Sequence, residues 1–520
     1  MPRQPGDTGL LQDVARSVFW NTALLPLVTC AGVLVSVLVR RRFGVESGLY
    51  DVALGIANSI LFYSGLGLAG SLPRFLPELQ LRGGRLAAAR LVVRLGALRL
   101  AIVIAILFPL NIWADPLAGA LNLGSDGATY LHLLSALLIG RAALDFAYRT
   151  LDSFFQQLAV NVLSLLHGML DLCLIALAVF MGWSMAGVIG ALGISAILMA
   201  IVTSTVVVRY LLALPPPERP AEHKPSPSRI WKLSGVTYLR DLSLYFATPA
   251  FASPVLVTTL GGPEPVALFA TSYFIASSTV TLVVSGFRGV YRPAFAHVIA
   301  AGDRAQLHRA FDLMNKVQIL AVVPAGLGLT VMVADYLPLL YGEPFAAAVP
   351  VARALVVLLF AETAMAVGLL VLWVDERYRP VLGAQLVMIA GAPLFVWTAG
   401  RFGLLAAALV LGGSRLASSI VGYLMAQRTY GVRYPWAFAA RVMFVSLVMA
   451  AVISALRRGW GTSMAEAATL TVLGVAIVVT GLRAFKVIGP GELEILGRTG
   501  IPGKAWLLRW FQNPIRESRR

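Results

Sequence analysis

The sequence has few charged residues and almost no cysteine. Of its 520 residues, 13% are Asp, Glu, Lys or Arg and 58% are hydrophobic, with a mean hydropathy of +0.80. A soluble globular chain carries about 25% charged residues, so this composition excludes a cytosolic enzyme, a secreted disulfide domain and a disordered protein. The two cysteines, Cys30 and Cys173, lie in apolar stretches without a Cys-x-x-Cys or Cys/His cluster. Neither a disulfide framework nor a metal site is therefore indicated.

Motifs for catalysis and for nucleic-acid binding are also missing. The sequence has no P-loop, no nucleotide-binding fingerprint and no metal cluster, so we expect neither an enzyme nor a bound cofactor. The net charge is +17, but no basic run alternates with stacking aromatic residues, which argues against a nucleic-acid partner. The segments between the apolar runs that are predicted below to lie outside the membrane, such as 115–127 and 258–265, are too short to form a catalytic domain.

Long apolar runs are what the sequence has in abundance. Runs of about 18 or more residues predict an all-α polytopic membrane protein with about 14 transmembrane helices. The predicted spans are 17–39, 50–73, 95–114, 128–148, 158–181, 185–208, 234–257, 266–290, 317–340, 350–373, 380–399, 404–427, 437–456 and 463–485.

The basic residues predict the orientation of these spans. Most Lys and Arg fall in alternate loops, such as those around 82–94, 219–240 and 288–316, which places both termini in the cytoplasm. The run Arg40–Arg42 departs from this rule because it falls at an outer turn. We therefore predict a multi-pass protein of the bacterial cytoplasmic (inner) membrane.

A proline-rich segment divides the chain. The linker 214–229, LPPPERPAEHKPSPSR, favours extended, solvated backbone. We predict five parts along the chain: an N-terminal lobe with helices one to six (1–213), the cytoplasmic linker (214–229), a C-terminal lobe with helices seven to twelve (230–430), helices thirteen and fourteen (431–485), and an amphipathic cytoplasmic tail (486–520).

The two lobes are predicted to be copies of one unit. At a constant offset of 218 residues, the aligned residues include four pairs of glycines, one pair of serines and one pair of arginines. The aligned pairs are Gly44 with Gly262, Gly84 with Gly302, Gly124 with Gly342, Gly182 with Gly400, Ser59 with Ser277, and Arg74 with Arg292. Because each copy holds six spans, an even number, the copies point the same way and form a parallel repeat.

Three stretches resemble a known family. FGVESGLYDVALGIANSILFYSGLGLAGSLPRFLPE (43–78) resembles the first outer turn and second helix of bacterial polysaccharide exporters, the O-antigen-type flippases of the multidrug/oligosaccharidyl-lipid/polysaccharide (MOP) superfamily. Gly44, Tyr50, Arg74, Phe75 and Glu78 occupy the motif positions. YLPLLYGEPFAAAVPVARAL (336–355) and AGRFGLLAAALV (399–410) are similar to that family's turns before the tenth and twelfth helices.

The resemblance implies a flippase that works by alternating access. Its substrate would be an oligosaccharide joined through pyrophosphate to a polyprenyl tail, carried across the cytoplasmic membrane for cell-surface polysaccharide biosynthesis. It implies a cleft lined by helices one, two, seven and eight. The expected partners are the lipid-linked glycan, membrane lipids and glycan polymerase or ligase proteins, and the expected state is a monomer.

Two alternative functions remain open. One is a cation-coupled multidrug or small-molecule exporter of the same fold, although such exporters commonly carry an acid deep in the first helix, which is missing here. The other is a non-transporting scaffold of a glycan assembly complex. A lipid II flippase is disfavoured because no charge lies between Arg16 and Arg40 in the first span.

Charged residues inside spans are the first site candidates, because each costs about 2.5–3.5 kcal/mol at mid-helix. Arg141 and Asp145 are spaced to form an ion pair on one helix. Alternatively, Arg141 binds phosphate in the cleft while Asp145 orients it or titrates. Arg415 has no acid on its own helix, and Glu362 is a candidate partner for it.

Further candidates lie near the cytoplasmic helix ends. Arginine forms paired, charge-assisted bonds to phosphate, so four arginines near the expected cleft are candidates for substrate binding, with ordinary topological signals as the alternative. They are Arg74, Arg240, Arg288 and Arg292. For ion coupling, Asp241 and Asp171 join Asp145 and Glu362, although Asp171 is equally explained by a bond to a neighbour on its helix.

Overall fold

A computed structural model describes residues 7–82, 84–154, 156–214, 227–300, 302–458, 463–485 and 487. Throughout these ranges the chain is helical, without strands, which confirms the predicted all-α polytopic fold. Only a helix satisfies its own backbone hydrogen bonds in lipid, which is why uninterrupted apolar runs fold this way. The helices are α1 (Asp7–Phe43), α2 (Gly48–Gly65), α3 (Leu68–Arg82), α4 (Gly84–Ile112), α5 (Ala114–Ala120), α6 (Gly127–Ser153), α7 (Gln157–Phe180), α8 (Met185–Ala213), α9 (Pro227–Tyr245), α10 (Pro249–Leu260), α11 (Pro263–Ala300), α12 (Arg304–Tyr341), α13 (Val349–Met365), α14 (Val367–Val374), α15 (Tyr378–Tyr430), α16 (Trp436–Arg457) and α17 (Met464–Ala484).

The helices account for the predicted spans. Within the described ranges, 11 segments are long and apolar enough to cross a membrane, or 12 if α9 and α10, bent by 45°, count as one span. Two of these segments, Leu24–Gly65 with 42 residues and Tyr378–Tyr430 with 53, exceed the length that two crossings need. Each of the 14 predicted ranges coincides with one helix or with two consecutive ones.

Glycines mark equivalent turns in the two halves, as the repeat predicts. Gly44 has φ 57° and Gly262, its predicted equivalent, has φ 145°. Gly124 and Gly342 likewise have φ 75° and 102°. L-residues rarely adopt these angles, so a positive φ explains why glycine stands at both positions of each pair.

Two glycine equivalences are displaced. Gly84 is the first residue of α4, whereas its predicted equivalent Gly302 lies before α12 with φ 69°. Gly182 has φ 71°, but its predicted equivalent Gly400 is helical, and the corresponding break lies at Gly403, with φ 80° and ψ −168°. This break divides α15 into the two predicted spans. The constant offset therefore aligns the helices of the two halves but does not hold at these two turns.

The halves share one apolar core on one side of the membrane and have separate cores on the other. Helices α1 and α2 pack against α10 and α11, and α3 packs against α9, while α16 and α17 pack on α12. On the side opposite the linker, called here the distal side, one continuous core contains residues of both halves, from Val35 to Leu411. The N-terminal core on the linker side and the C-terminal core, which runs along the whole of α16 and α17, are clusters distinct from each other.

Close backbone contacts join the halves on both sides. A Cβ added at Gly48 would lie 1.8 Å from the carbonyl oxygen of Pro263, on the distal side. At Gly67, on the linker side, an added Cβ would lie 2.2 Å from the carbonyl oxygen of Ser234. Small residues at such points let helices approach closely in lipid.

Arg40 is buried, contrary to its assignment to an outer loop. It is 3% exposed, and its Nη2 donates to both oxygens of Asp51 at 3.0 and 3.1 Å. It also donates to Ser36 and, across the interface between the halves, to Thr271. Arg41 donates to carbonyl oxygens at the end of α12. Arg40 and Arg41 therefore attach the two halves to each other, and the orientation of the spans stays a prediction.

Two predicted parts of the chain fall largely outside the described residues. Residues 215–226 of the linker and the tail beyond residue 487 are not described. The five-part division of the chain therefore stays a prediction, as does the amphipathic character of the tail.

We predict that Asp51→Asn destabilises the protein. The substitution leaves the buried Arg40 without a counter-charge, and breaking such a pair costs about 3–5 kcal/mol. The melting temperature in detergent, followed by circular dichroism, should fall clearly. Arg42→Gln, which alters an exposed residue of the same run, is the matched control and should melt like wild type. Equal melting of both variants would contradict the assignment.

Candidate functional site

A polar cavity of about 670 Å³ lies within the N-terminal half. It is open to the surface and lined by α1, α2, α4, α6, α7 and α8, and among its lining residues Phe274 of α11 comes from the other half. Its polar lining includes Asn58, Arg99, Arg141, Asp145, His167 and Asp171. The resemblance implied a cleft shared by helices one, two, seven and eight. This cavity is different, because nearly all of its wall comes from one half.

Arg141 lines this cavity without an acidic partner. Its Nε is buried and has no hydrogen-bond partner, and no ion pair joins it to any acid of the described residues. The alternative in which Arg141 and Asp145 neutralise each other along α6 is therefore wrong for this structure. An unpartnered guanidinium in a cavity is available to an anion.

Asp145 pairs instead with Arg99 of α4. The Nη1 of Arg99 lies 2.7 Å from Oδ2 of Asp145, and Arg99 is 4% exposed. Arg149 approaches the other carboxylate oxygen at 3.8 Å. Sequence reasoning missed Arg99, because its place near the cytoplasmic end of span 95–114 is typical of a topological arginine. Four uncharged residues, Leu95–Leu98, separate it from Arg94 and eleven apolar residues, Leu100–Leu110, follow it, and this depth in the run was the available signal.

Asp171 faces His167 on α7. The His167 Nε2 lies 3.6 Å from Oδ1 of Asp171, one helical turn away. Neither atom has a hydrogen-bond partner among the described residues. This places Asp171 beside a neighbour on its own helix, as one of the two sequence interpretations expected. An ion-coupling role for Asp171 stays a prediction.

The fixed charges of the cavity cancel. Arg99 and Arg141 supply two positive charges, and Asp145 and Asp171 supply two negative ones. Two of these four charges neutralise each other directly, however, because Arg99 and Asp145 form an ion pair. What remains is a free guanidinium at Arg141 and a carboxylate next to an imidazole.

Arg415 lies outside this cavity and is fully engaged. It binds both carboxylate oxygens of Glu362, at 2.7 and 3.0 Å, which confirms the partner proposed from sequence. Its Nη1 also donates to Tyr273 and to the carbonyl oxygen of Ala247, which lies in the break between α9 and α10. Arg415 therefore satisfies a backbone group that the broken helix leaves free. A substrate-binding role for Arg415, or an ion-coupling role for Glu362, stays a prediction.

The remaining candidates are placed as follows. Arg240 pairs with the adjacent Asp241 at 2.6 Å and stacks over Trp373 at 4.3 Å from the ring centre. Arg74 is exposed on α3. The side chains of Arg288 and Arg292, on α11, lie outside the described residues, so their proposed roles stay predictions.

A second, apolar cavity adjoins the polar one. This groove of about 680 Å³ is bounded by α1, α11, α12, α16 and α17. Most of its lining is aliphatic, from residues such as Leu282, Ala325 and Val475. Phe274 borders both cavities. Across the described ranges, no three His, Cys, Asp or Glu side chains are grouped closely enough to hold a metal ion.

The arrangement defines a multi-pass membrane protein with the fold of MOP-superfamily transporters. The lipid II flippase MurJ, in an inward closed conformation, is 12% identical with a TM-score of 0.69, over 91% of this chain and 98% of that one. A MOP superfamily transporter from Pyrococcus furiosus is 16% identical with a TM-score of 0.57, over 81% and 95%. The MATE multidrug transporter DinF-BH, in complex with R6G, is 15% identical with a TM-score of 0.59, over 83% and 99%.

These likenesses concern structure alone. No protein-family model matches the sequence, and no curated protein sequence matches it. The superfamily predicted from three sequence motifs is thus supported by the fold, while the polysaccharide-exporter branch is not distinguished from the others by these neighbours.

We predict that the polar cavity is accessible to a small hydrophilic thiol reagent. In a background with Cys30 and Cys173, both exposed, replaced by alanine, Ser164→Cys should react readily with an anionic methanethiosulfonate. Ser164 lines the cavity. The matched control is Ser195→Cys on α8, where the side chain is 0% exposed. Equal labelling rates at the two positions would show that the cavity is closed to water.

Proposed function

We propose that this protein is a flippase for a lipid-linked, polyprenyl-pyrophosphate oligosaccharide in the synthesis of cell-surface polysaccharide. The observation that carries the proposal is the free guanidinium of Arg141 in a polar cavity that adjoins an apolar groove. The substrate has the same division into an anionic, hydroxyl-rich part and a long hydrocarbon part.

The polar cavity suits the anionic part. The buried Nε of Arg141 has no protein partner, and a bond from arginine to a phosphate oxygen would satisfy it with a charge-assisted hydrogen bond. Asn58 and Ser164 in the same wall offer neutral hydrogen-bonding groups, which sugar hydroxyls require. No bond need be broken, so recognition and movement are sufficient.

The apolar groove suits the prenyl tail. A hydrocarbon chain needs a continuous aliphatic surface and no polar partner. The groove is built in part by α16 and α17, which correspond to the predicted spans beyond the two six-helix copies. This gives the additional helix pair a role that the repeat alone does not explain.

The comparisons support the class of cargo without specifying it. The neighbour MurJ is described as a lipid II flippase, which is a flippase of another lipid-linked molecule. The absence of charge between Arg16 and Arg40 still argues against lipid II as the substrate here. We place the protein in the bacterial cytoplasmic membrane with both termini inside, as a monomer that works beside glycan polymerase or ligase proteins.

A cation-coupled exporter of small molecules is the second candidate function. The observation that favours it is the His167–Asp171 pair in the polar cavity, because a titratable pair there could couple proton movement to export. MATE multidrug transporters are among the structural neighbours. A drug exporter would extrude lipophilic cations in a proton-dependent manner, whereas the proposed flippase would not.

We predict that Arg141→Gln slows flipping. In proteoliposomes with a fluorescent prenyl-pyrophosphate disaccharide, the translocation rate should fall by about tenfold to a hundredfold, because one charge-assisted hydrogen bond is lost. Arg149→Gln, on the same helix but outside the cavity lining, is the matched control. Unchanged flipping by the Arg141 variant would remove the proposed site, and no flipping by wild type would remove the proposed function.

A second prediction concerns the groove. Val475 of α17 lines it, whereas Val472 on the same helix does not and is 70% exposed. Val475→Trp should fill part of the groove and reduce flipping of the prenyl-linked substrate. Val472→Trp adds the same ring at another face of the helix and should leave flipping unchanged. Equal rates for the two variants would argue against a tail in this groove.

A further inference from the structure

Three charged residues follow one another along α6 at intervals of one turn. They are Arg141, Asp145 and Arg149, in that order. On a helix, residues four apart are neighbours, so the central carboxylate can pair with either arginine. Which partner it takes decides whether Arg141 is free.

A third arginine, on another helix, lies within reach of the Asp145 carboxylate. Arg99 of α4 is 4% exposed and reaches Asp145 at 2.7 Å, whereas Arg149 lies at 3.8 Å. Apart from Asp145, no acid among the described residues pairs with Arg99. A buried arginine depends strongly on its counter-ion, so Arg99 holds the carboxylate of Asp145 towards α4.

We propose that Arg99 is a positioning residue that keeps the anion site open by withdrawing Asp145 from Arg141. The inference rests on the proposed function, in which Arg141 binds the pyrophosphate group. The sequence spacing favours closure of the site by an internal ion pair, and the contact from α4 prevents it.

The expected size of the effect follows from competition. A carboxylate bound to Arg141 must leave before a ligand anion can bind, so the apparent dissociation constant rises in proportion to the closed fraction. If Asp145 occupied Arg141 for about nine-tenths of the time, binding would weaken about tenfold. The other nearby acid, Asp171, faces His167 and is not needed for this competition.

Arg149 does not perform the same task. Its side chain is 58% exposed, and exposed ion pairs contribute little because water competes for both charges. Loss of Arg149 should therefore leave Asp145 on Arg99. Loss of Arg99 should release Asp145, whose side chain is 48% exposed and lines the same cavity as Arg141.

The test measures binding of farnesyl pyrophosphate to the full chain in lipid nanodiscs, with farnesol as the uncharged control. Arg99→Met should weaken binding about tenfold. The double variant Arg99→Met with Asp145→Asn, which removes the competing charge as well, should restore wild-type affinity. Arg149→Gln should bind like wild type. Restored affinity in the double variant would show that Arg99 acts by positioning Asp145. A general structural defect would not be repaired by a second substitution.

Two outcomes would overturn the inference: wild-type affinity in Arg99→Met, or equally weak binding in the single and double variants. The proposed function fails separately, if wild type does not bind farnesyl pyrophosphate better than farnesol or if Arg141→Gln binds it equally well. These arms use different variants, so the two failures are distinguishable.

A chemical-modification measurement on the wild-type protein tests the open site even if a variant fails to fold. Phenylglyoxal modifies accessible, unpaired guanidinium groups, and mass spectrometry reports the modified residue. Arg141 should react faster than Arg415, which is engaged on both sides by Glu362, Tyr273 and a carbonyl group. In Arg99→Met, Arg141 should become protected. Equal protection of Arg141 and Arg415 in wild type would contradict an open site.

Discussion

The cost of placing charge within a membrane governs how this structure is held together. Three arginines inside the helical bundle pair with an acid on another helix: Arg40 with Asp51, Arg99 with Asp145, and Arg415 with Glu362. Each pair adds a charge-assisted contact between helices that otherwise associate through van der Waals packing. Arg141, in the same environment without such a partner, is the exception on which the functional proposal depends.

The positions of these pairs follow the division of the fold into two halves. Arg40 joins the two halves where they share one core on the distal side. Arg415 supports the break between α9 and α10, the helices that meet the N-terminal half. On the linker side the cores of the halves are separate. On the linker side the halves therefore meet through contacts such as Gly67 with Ser234 and share no core, whereas on the distal side a shared core and the Arg40 contacts join them.

Much of the architecture could be predicted from the sequence, because it depends on local properties. Apolar runs predicted all of the helices that cross the bundle, and the glycines at 44, 124, 262 and 342 marked turns that need positive φ. The pairing of Arg415 with Glu362 was also anticipated, since a lone arginine in a span requires an acid from elsewhere. The candidate site was only partly predicted: Arg141 and Asp145 were identified, but Arg99 was missed. Outside the site, Arg40 was assigned to a loop.

The sequence by itself determined which segments enter the membrane, where they turn and that the two halves repeat. These properties follow from hydrophobicity and backbone conformation within a few neighbouring residues. Only the tertiary structure decided which charge meets which. Asp145 binds Arg99, 46 residues away, instead of Arg141 one turn away, because the packing of α4 on α6 brings a buried guanidinium to the carboxylate. In a low-dielectric interior an unpaired charge is costly, so the buried Arg99 gains most from pairing with the acid. Spacing along one helix does not reveal which arginine on another helix is buried beside that acid.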